Sequence, residues 1–188
     1  MTKPRISFAE AYATATLIRN HILLSAKACH LAGSLRRGAE TVGDIDLVVL
    51  ASSLDAVRLP KTVKKRSGGA KYRRYDTVTE EGNTIGVDIW LCESEQQLGA
   101  FLWYATGPAE LNVWMRQRAK QRGLTLTQYG VALRTVAVKQ PKANCRTEES
   151  VARLLEMPYL TPQERQIWRE KVPAATGRQA NNNTERNK

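Results

Sequence analysis

The chain has 188 residues, and its 29 Lys and Arg against 18 Asp and Glu give a formal charge of +11. That length fits one compact domain, or two small lobes sharing a core, and excludes a large multidomain machine. A 42% hydrophobic fraction excludes wholesale disorder, and no apolar run approaches the ~18 residues of a membrane span.

Residues 1–6 are polar and lack the apolar stretch of a signal peptide. Ser7, with Glu10 three residues on, forms a capping box that opens a helix. Phe8, Ala11, Ala15, Ile18 and Ile22 follow at helical spacing, and His21 and His30 read as structural. Residues 29–32 are a short apolar stretch running into Gly33-Ser34 and a basic turn, with Ser34 the expected N-cap of a short helix. Residues 44–50 read as a buried strand with two carboxylates at its start. Residues 58–74 hold eight basic side chains and no acid, which predicts a mobile surface loop.

Residues 72–92 read as a hairpin turning at Glu81-Gly82-Asn83. On its second strand Ile85, Val87, Ile89 and Leu91 point one way, and Gly86, Asp88 and Trp90 the other. Ser94 and Gln97 open a helix ending near Gly107, and Pro108 fits the first turn of a helix running to about Arg122-Gly123. Short strands are expected within 124–138. Two small helices follow, the second opened by a Thr161–Glu164 capping box with Pro162, and a disordered tail begins at Pro173. Cys29, Cys92 and Cys145 are scattered and odd in number, unlike a disulfide framework or a zinc site. They fit a reducing, intracellular or cytoplasmic setting.

Asp44 and Asp46 are two apart on a strand and project to one face. Two neighbouring anions coexist when a cation lies between them or one is protonated, and hard divalent cations favour carboxylate oxygen. Asp88, on the polar side of another strand, completes such a site if the strands are neighbours; three carboxylates can hold two metals ~4 Å apart. Read alone, Asp44 and Asp46 could equally cap a turn with Asp88 solvated on an edge. Gly33 permits a tight turn, Ser34 and nearby amides suit phosphate oxygens, and Arg37 offers a planar fork to the same phosphates. On the helix after Pro108, Leu111, Trp114 and Met115 make an apolar stripe. Asn112, Arg116 and Lys120 line another face, and Arg118 and Arg122 extend the basic side. By itself that helix reads as one with a solvated charged face.

The run Gly33-Ser34-Leu35-Arg36-Arg37-Gly38-Ala39-Glu40-Thr41-Val42-Gly43-Asp44-Ile45-Asp46 resembles the signature of family X DNA polymerases, in the polymerase-beta-like nucleotidyltransferase superfamily. Tyr104-Ala105-Thr106-Gly107, Asn112, Arg116 and the run 123–130 resemble that family's nucleotide-binding subdomain, and 148–165 its C-terminal end. The likeness covers about Phe8 to Arg169. It implies an α+β fold: a palm with a mixed or antiparallel sheet and flanking helices over 1–105, and a small α/β nucleotide-binding subdomain over 106–172. The segment 173–188 is left as the tail.

The resemblance further implies that Asp44 and Asp46 bridge two Mg²⁺ ions, with Mn²⁺ as a substitute, and that Asp88 joins the catalytic metal. Ser34, Arg37 and the Gly43 amide would bind the triphosphate beside Gly33. Tyr104 and Gly107 would line the sugar pocket, Asn112 would contact the incoming nucleotide, and Arg116 would approach the template. Ala105 stands where the family often has an aromatic, and Ala109 where an acid is common in polymerase beta.

The implied activity is DNA-directed DNA polymerisation from a dNTP, with gap filling in repair as its setting. The expected form is reduced and monomeric, like the small viral members, without the lyase region. DNA would be gripped by Lys64, Lys65, Arg66, Arg116, Arg118 and Lys120. Two other readings are an untemplated nucleotidyltransferase acting on nucleic-acid ends or another acceptor, and a catalytically dead DNA-binding protein.

Overall fold

In the computed structural model, residues 5–134 and 143–172 are described. The expected tail at 173–188 and the end of the expected strand segment, 135–138, lie outside them. Two short strands, β1 (Ile6–Ser7) and β3 (Thr41–Val42), pair antiparallel and bring the N-terminal residues beside the chain that leads into Asp44. Ser7 caps helix α1 (Phe8–Ile22), its hydroxyl accepting from the Glu10 amide at 3.2 Å. Ala11, Ala15, Ile18 and Ile22 form the buried stripe of α1. Glu10 is also buried and accepts from Thr79 Oγ1 and, at 2.9 Å, from Asn83 Nδ2. These bonds pin α1 to a distant turn and hold the Glu10 carboxyl below the ordinary carboxylate range.

The main sheet has five strands: β2 (Ala28–Leu31), β4 (Asp44–Leu50), β5 (Lys64–Gly68), β6 (Tyr72–Val78) and β7 (Thr84–Cys92). Their spatial order is β2-β4-β7-β6-β5. Only β4 and β7 run parallel; every other neighbour is antiparallel. Ile45, Leu47 and Val49 of β4 with Val87 and Ile89 of β7 form one core with α1. The opposite face carries Asp44, Asp46 and Asp88 near one end and packs Val48 and Leu50 against helix α3 (Leu98–Thr106) further along.

Residues 64–68 correct the expected loop. They are strand β5, paired with β6 and shifted in register between Lys65 and Ser67. All five β5 residues are exposed, so the strand rests on its backbone ladder alone and has no apolar alternation to betray it. Lysines on such an edge also discourage pairing with another chain.

A single turn, α2 (Gly33–Arg36), joins β2 to β3, and its N-cap is Ala32 rather than Ser34. Gly33 adopts φ +60°, so the chain turns two residues earlier than the Ser34 cap would require. Beyond β7, Ser94 caps a short 3-10 turn, Glu95–Gln97, that leads into α3. Gly107, at φ +66°, ends α3, and Pro108 occupies the N-cap of α4 (Ala109–Gln121), one residue before the expected first turn. Strands β8 (Leu124–Thr127) and β9 (Gly130–Leu133) pair antiparallel. Helices α5 (Glu148–Leu154) and α6 (Trp168–Lys171) follow. The Thr161–Glu164 capping box is reciprocal: the Thr161 amide donates to Glu164 Oε2 at 2.9 Å, and the Glu164 amide donates to Thr161 Oγ1 at 3.3 Å.

A second core gathers Trp103, Leu111, Met115, Val151, Leu155 and Trp168. Helix α3 is its wall with the sheet, since Ala100 and Trp103 face this core while Phe101 and Leu102 face β4. The architecture is α+β, and no helix among the described residues is long and apolar enough to cross a membrane. Cys29, Cys92 and Cys145 are buried free thiols. Burial pushes the first two up to about 12 and about 11, leaving them protonated.

A three-charge bridge joins the two halves. Arg36 of α2 donates to both Glu148 oxygens at 2.8 and 2.7 Å, and to Thr106 Oγ1 at 2.8 Å. Arg165, fully buried, donates to Glu148 Oε1 at 2.8 Å and to the Leu160 carbonyl, with its guanidinium 3.5 Å from the Trp103 ring centroid. Burial pushes Arg165 down to about 10, with Glu148 pulling it back. Glu148→Gln leaves two guanidinium groups without their shared counter-charge. We expect a loss of about 3 kcal/mol in chemical denaturation, the size seen when one partner of a buried pair is removed. An unchanged midpoint would show that the bridge is dispensable.

Candidate active site

Asp46 of β4 and Asp88 of β7 are Cα partners across the parallel pair, and Asp44 lies two residues before Asp46 on the same face. Asp88 is buried, and the other two are half-buried. The sequence-predicted carboxylates therefore meet at one end of the sheet. Among the described residues, no group of three or more His, Cys, Asp or Glu side chains is placed so that it could hold a metal ion. Instead Arg74, the Cα partner of Asp88 on β6, reaches between them. Its Nη2 is 3.6 Å from Asp44 Oδ2 and its Nε 3.5 Å from Asp88 Oδ1. A guanidinium there offsets the mutual repulsion of the carboxylates. Tyr72, two residues earlier on β6, has its hydroxyl pKa raised by burial and then by the charge of Asp88, to which it hydrogen-bonds.

Gly33 lies against Asp46. A side chain there would put Cβ 1.9 Å from Asp46 Oδ2 and 2.8 Å from its Cγ. The Ala32 amide donates to the Asp46 carbonyl at 2.8 Å, so the turn into α2 and the carboxylate strand are locked together. Gly43 is similarly close to Arg5, whose Nη1 would be 3.2 Å from an added Cβ. Arg5 is held by its Nε donating to Thr41 Oγ1 at 2.9 Å.

A cleft of about 630 Å³ opens over Asp44, Asp46, Gly33 and Arg5, walled by the starts of β4, α2 and α4 and the end of α3. Ser34 and Arg37 line it on the α2 side. Arg37 donates to the Thr106 carbonyl. Burial lowers its pKa, and the charges of Asp46 and Glu110 oppose that. Tyr104, Gly107, Asn112 and Arg116 line the opposite side, with Asn112 Nδ2 donating to the Tyr104 carbonyl at 2.8 Å. Trp90 and Tyr104 line the cleft with ring centroids 5.9 Å apart, and Tyr72 packs on Trp90 with centroids 4.4 Å apart.

The expected basic groups divide. Lys64 and Lys65 are exposed on β5, and Arg66 pairs with Asp76 at 3.2 Å. Arg116 and Lys120 are exposed on α4. Arg118 is turned elsewhere: its Nε donates to the Leu155 carbonyl at 2.7 Å and its Nη2 to the Glu156 carbonyl, and it stacks over Trp114.

Arg5, Tyr72, Arg74 and Trp90 were not singled out by sequence as site residues. Arg74 lay in a stretch that read as a loop, and Arg5 reaches the cleft only through the β1–β3 pairing. Trp90 alternates with Asp88 on β7, and that signal could have found it.

Two solved structures of Leishmania infantum polymerase beta share the fold. One, a ternary P/T complex, matches with a TM-score of 0.71 and 22% identity, covering 86% of this chain and 77% of that one. The other, a ternary gap complex, matches with a TM-score of 0.71 and 21% identity, covering 86% and 71%. Residues 101–166 match the DNA polymerase beta thumb family. The chain is also 33% identical over 105 residues to the DNA polymerase/3'-5' exonuclease PolX of Bacillus subtilis (strain 168), a match covering 53% of this chain and 18% of that relative's length. The fold is thus that of polymerase beta, residues 101–166 match its thumb family, and the chain spans under a fifth of the length of the PolX relative it resembles.

Proposed function

We propose that this chain is a DNA-directed DNA polymerase that joins a nucleotide from a dNTP to a primer 3′-hydroxyl, filling gaps during DNA repair. The observation that carries the reading is the in-register placement of Asp46 beside Asp88, with Asp44 and Asp46 lining a cleft shared with Arg37 and Tyr104. An all-oxygen donor set suits Mg²⁺, with Mn²⁺ as a substitute. When bound, such ions lower the pKa of an attacking hydroxyl and stabilise the charge of a leaving pyrophosphate.

Other tasks fall to the chain itself. Arg37, already desolvated and fixed to the Thr106 carbonyl, offers remaining donors to the triphosphate with Ser34 and the Gly43 amide. Gly33 leaves the space in which Asp46 keeps its position. Tyr104 and Gly107 border the sugar, with Asn112 holding the Tyr104 backbone and meeting the incoming nucleotide. Arg116 is exposed at the cleft edge, where it suits the template strand, while Lys64, Lys65 and Lys120 suit backbone phosphates. Arg118, engaged with two carbonyls, is left out of the DNA contacts. Residues 1–105 would then be the catalytic lobe and 106–172 the nucleotide-binding lobe of a monomer. Incorporation of single nucleotides at gapped duplex and at unpaired 3′ ends tests the reading. Preference for the template-matched nucleotide in the gap is expected, and equal use of unpaired ends would make the transferase untemplated.

Arg74 stands in for positive charge where ions would bind, so it must give way to them. Arg74→Ala is expected to tighten Mn²⁺ binding about tenfold, since a like charge leaves the site. Electron paramagnetic resonance titration measures this. Weaker Mn²⁺ binding in the variant would mean that Arg74 instead holds the carboxylates in position for the metal.

A further inference from the structure

A second cleft, of about 390 Å³, lies on the free edge of β2, where α1, β2 and α2 meet. It shares no lining residue with the carboxylate cleft. Adjacent arginines divide between the two, Arg36 facing this cleft and Arg37 the other. Its charge-bearing lining is basic: Arg19, Lys27, His30 and Arg36, with no carboxylate among the described lining residues.

Two of these cations are already matched, Lys27 by Glu95 and Arg36 by Glu148. The other two groups are not. Arg19 Nε and His30 Nε2 are both shielded from solvent, and neither has a hydrogen-bond partner among the described residues. A buried donor without a partner is costly, and a guanidinium more so. Burial and then the charges of Arg36 and Arg19 hold the His30 ring below its usual pKa, with Glu148 opposing them. The pocket thus has an excess of positive potential and unused hydrogen-bonding capacity in the same place. The rest of its lining is Leu23, Ala28 and Leu31, which are apolar, and the buried thiol of Cys29.

We propose that this edge cleft is a phosphate-recognition site, in which Arg19 and His30 bind one phosphate of a nucleotide-class ligand. Phosphate supplies both the missing negative charge and several acceptor oxygens for the guanidinium and the ring. The cleft falls within the usual size range of small-molecule sites, roughly 300–1,000 Å³, so it has room for the sugar or base against the apolar wall. The source is either a free nucleotide or one unit of a nucleic-acid strand.

The protein contains two histidines, which makes ring NMR signals a direct readout on the full chain. His21, exposed on α1 and bonded through Nδ1 to the Leu17 carbonyl at 3.2 Å, is an internal control. Inorganic phosphate, thymidine monophosphate and a short oligothymidylate without terminal phosphates are titrated separately. The His30 signals are expected to shift saturably with phosphate while His21 stays still. Arg19→Gln is expected to weaken that binding about tenfold, the size of losing a charged hydrogen bond. Arg19→Lys, which keeps the charge and loses Nε, is expected to weaken it less. Tighter binding of the oligonucleotide than of the mononucleotide would place a strand in the cleft, and the reverse order a free nucleotide; either supports phosphate recognition. His30 signals that move no more than those of His21, or that saturate equally in Arg19→Gln, would overturn it.

Discussion

Asp46→Asn is expected to lower nucleotide incorporation by about a thousandfold, at the upper end of what one charge-stabilising group contributes. Asp46 is the central carboxylate: it pairs in register with Asp88, shares a face with Asp44 and acts on the charge of Arg37. The amide keeps the shape and removes the charge, so β4 stays in place. DNA binding should change by less than about twofold, because that affinity comes from basic groups meeting phosphates. A gel-shift assay beside single-nucleotide incorporation separates the two. Undiminished incorporation would remove the carboxylates from the chemistry, and loss of DNA binding would point to a folding defect instead.

Gly33→Ala is expected to reduce incorporation about a hundredfold, the cost that a displacement near 1 Å can impose on a catalytic group. The added Cβ would lie 1.9 Å from Asp46 Oδ2, a distance no carbon–oxygen contact tolerates. The carboxylate must therefore move or the turn into α2 must open. The backbone at φ +60° adds roughly 1–2 kcal/mol of strain for an alanine. The expected pattern is a large loss of incorporation, weaker Mn²⁺ binding and a modest drop in Tm. Gly69 has open space where a Cβ would project, so Gly69→Ala is a control that should leave all three unchanged. Full incorporation by Gly33→Ala would mean that the Asp46 position is not critical.

Much of this site was legible in sequence because it depends on local rules. Alternation along 85–91 placed Asp88 on the polar side of β7, and the two-residue spacing of Asp44 and Asp46 set them on one face. The Ser7 and Thr161 caps carry their signatures within four residues. What was missed depends on partners far along the chain or on burial that never occurs. Strand β5 has no buried side chain, so neither alternation nor hydropathy marks it. Arg74 became a site residue through the register of β6 on β7, which places it opposite Asp88. Arg118 read as a DNA contact from its charge, but its guanidinium meets carbonyls about forty positions on, a tertiary contact that helical spacing cannot show. Ser34 had the right residue type for an N-cap and lost the position because Gly33 takes the left-handed conformation.

The central claim is that Asp44, Asp46 and Asp88 support divalent-cation-dependent nucleotide transfer. The most direct test supplies the full chain with one-nucleotide gapped duplex DNA and each dNTP singly, with Mg²⁺, with Mn²⁺ and with chelator. Extension by one template-matched nucleotide, present with either cation and abolished by chelator, is the predicted result. No extension under any cation, from folded protein that still binds the duplex, would contradict it.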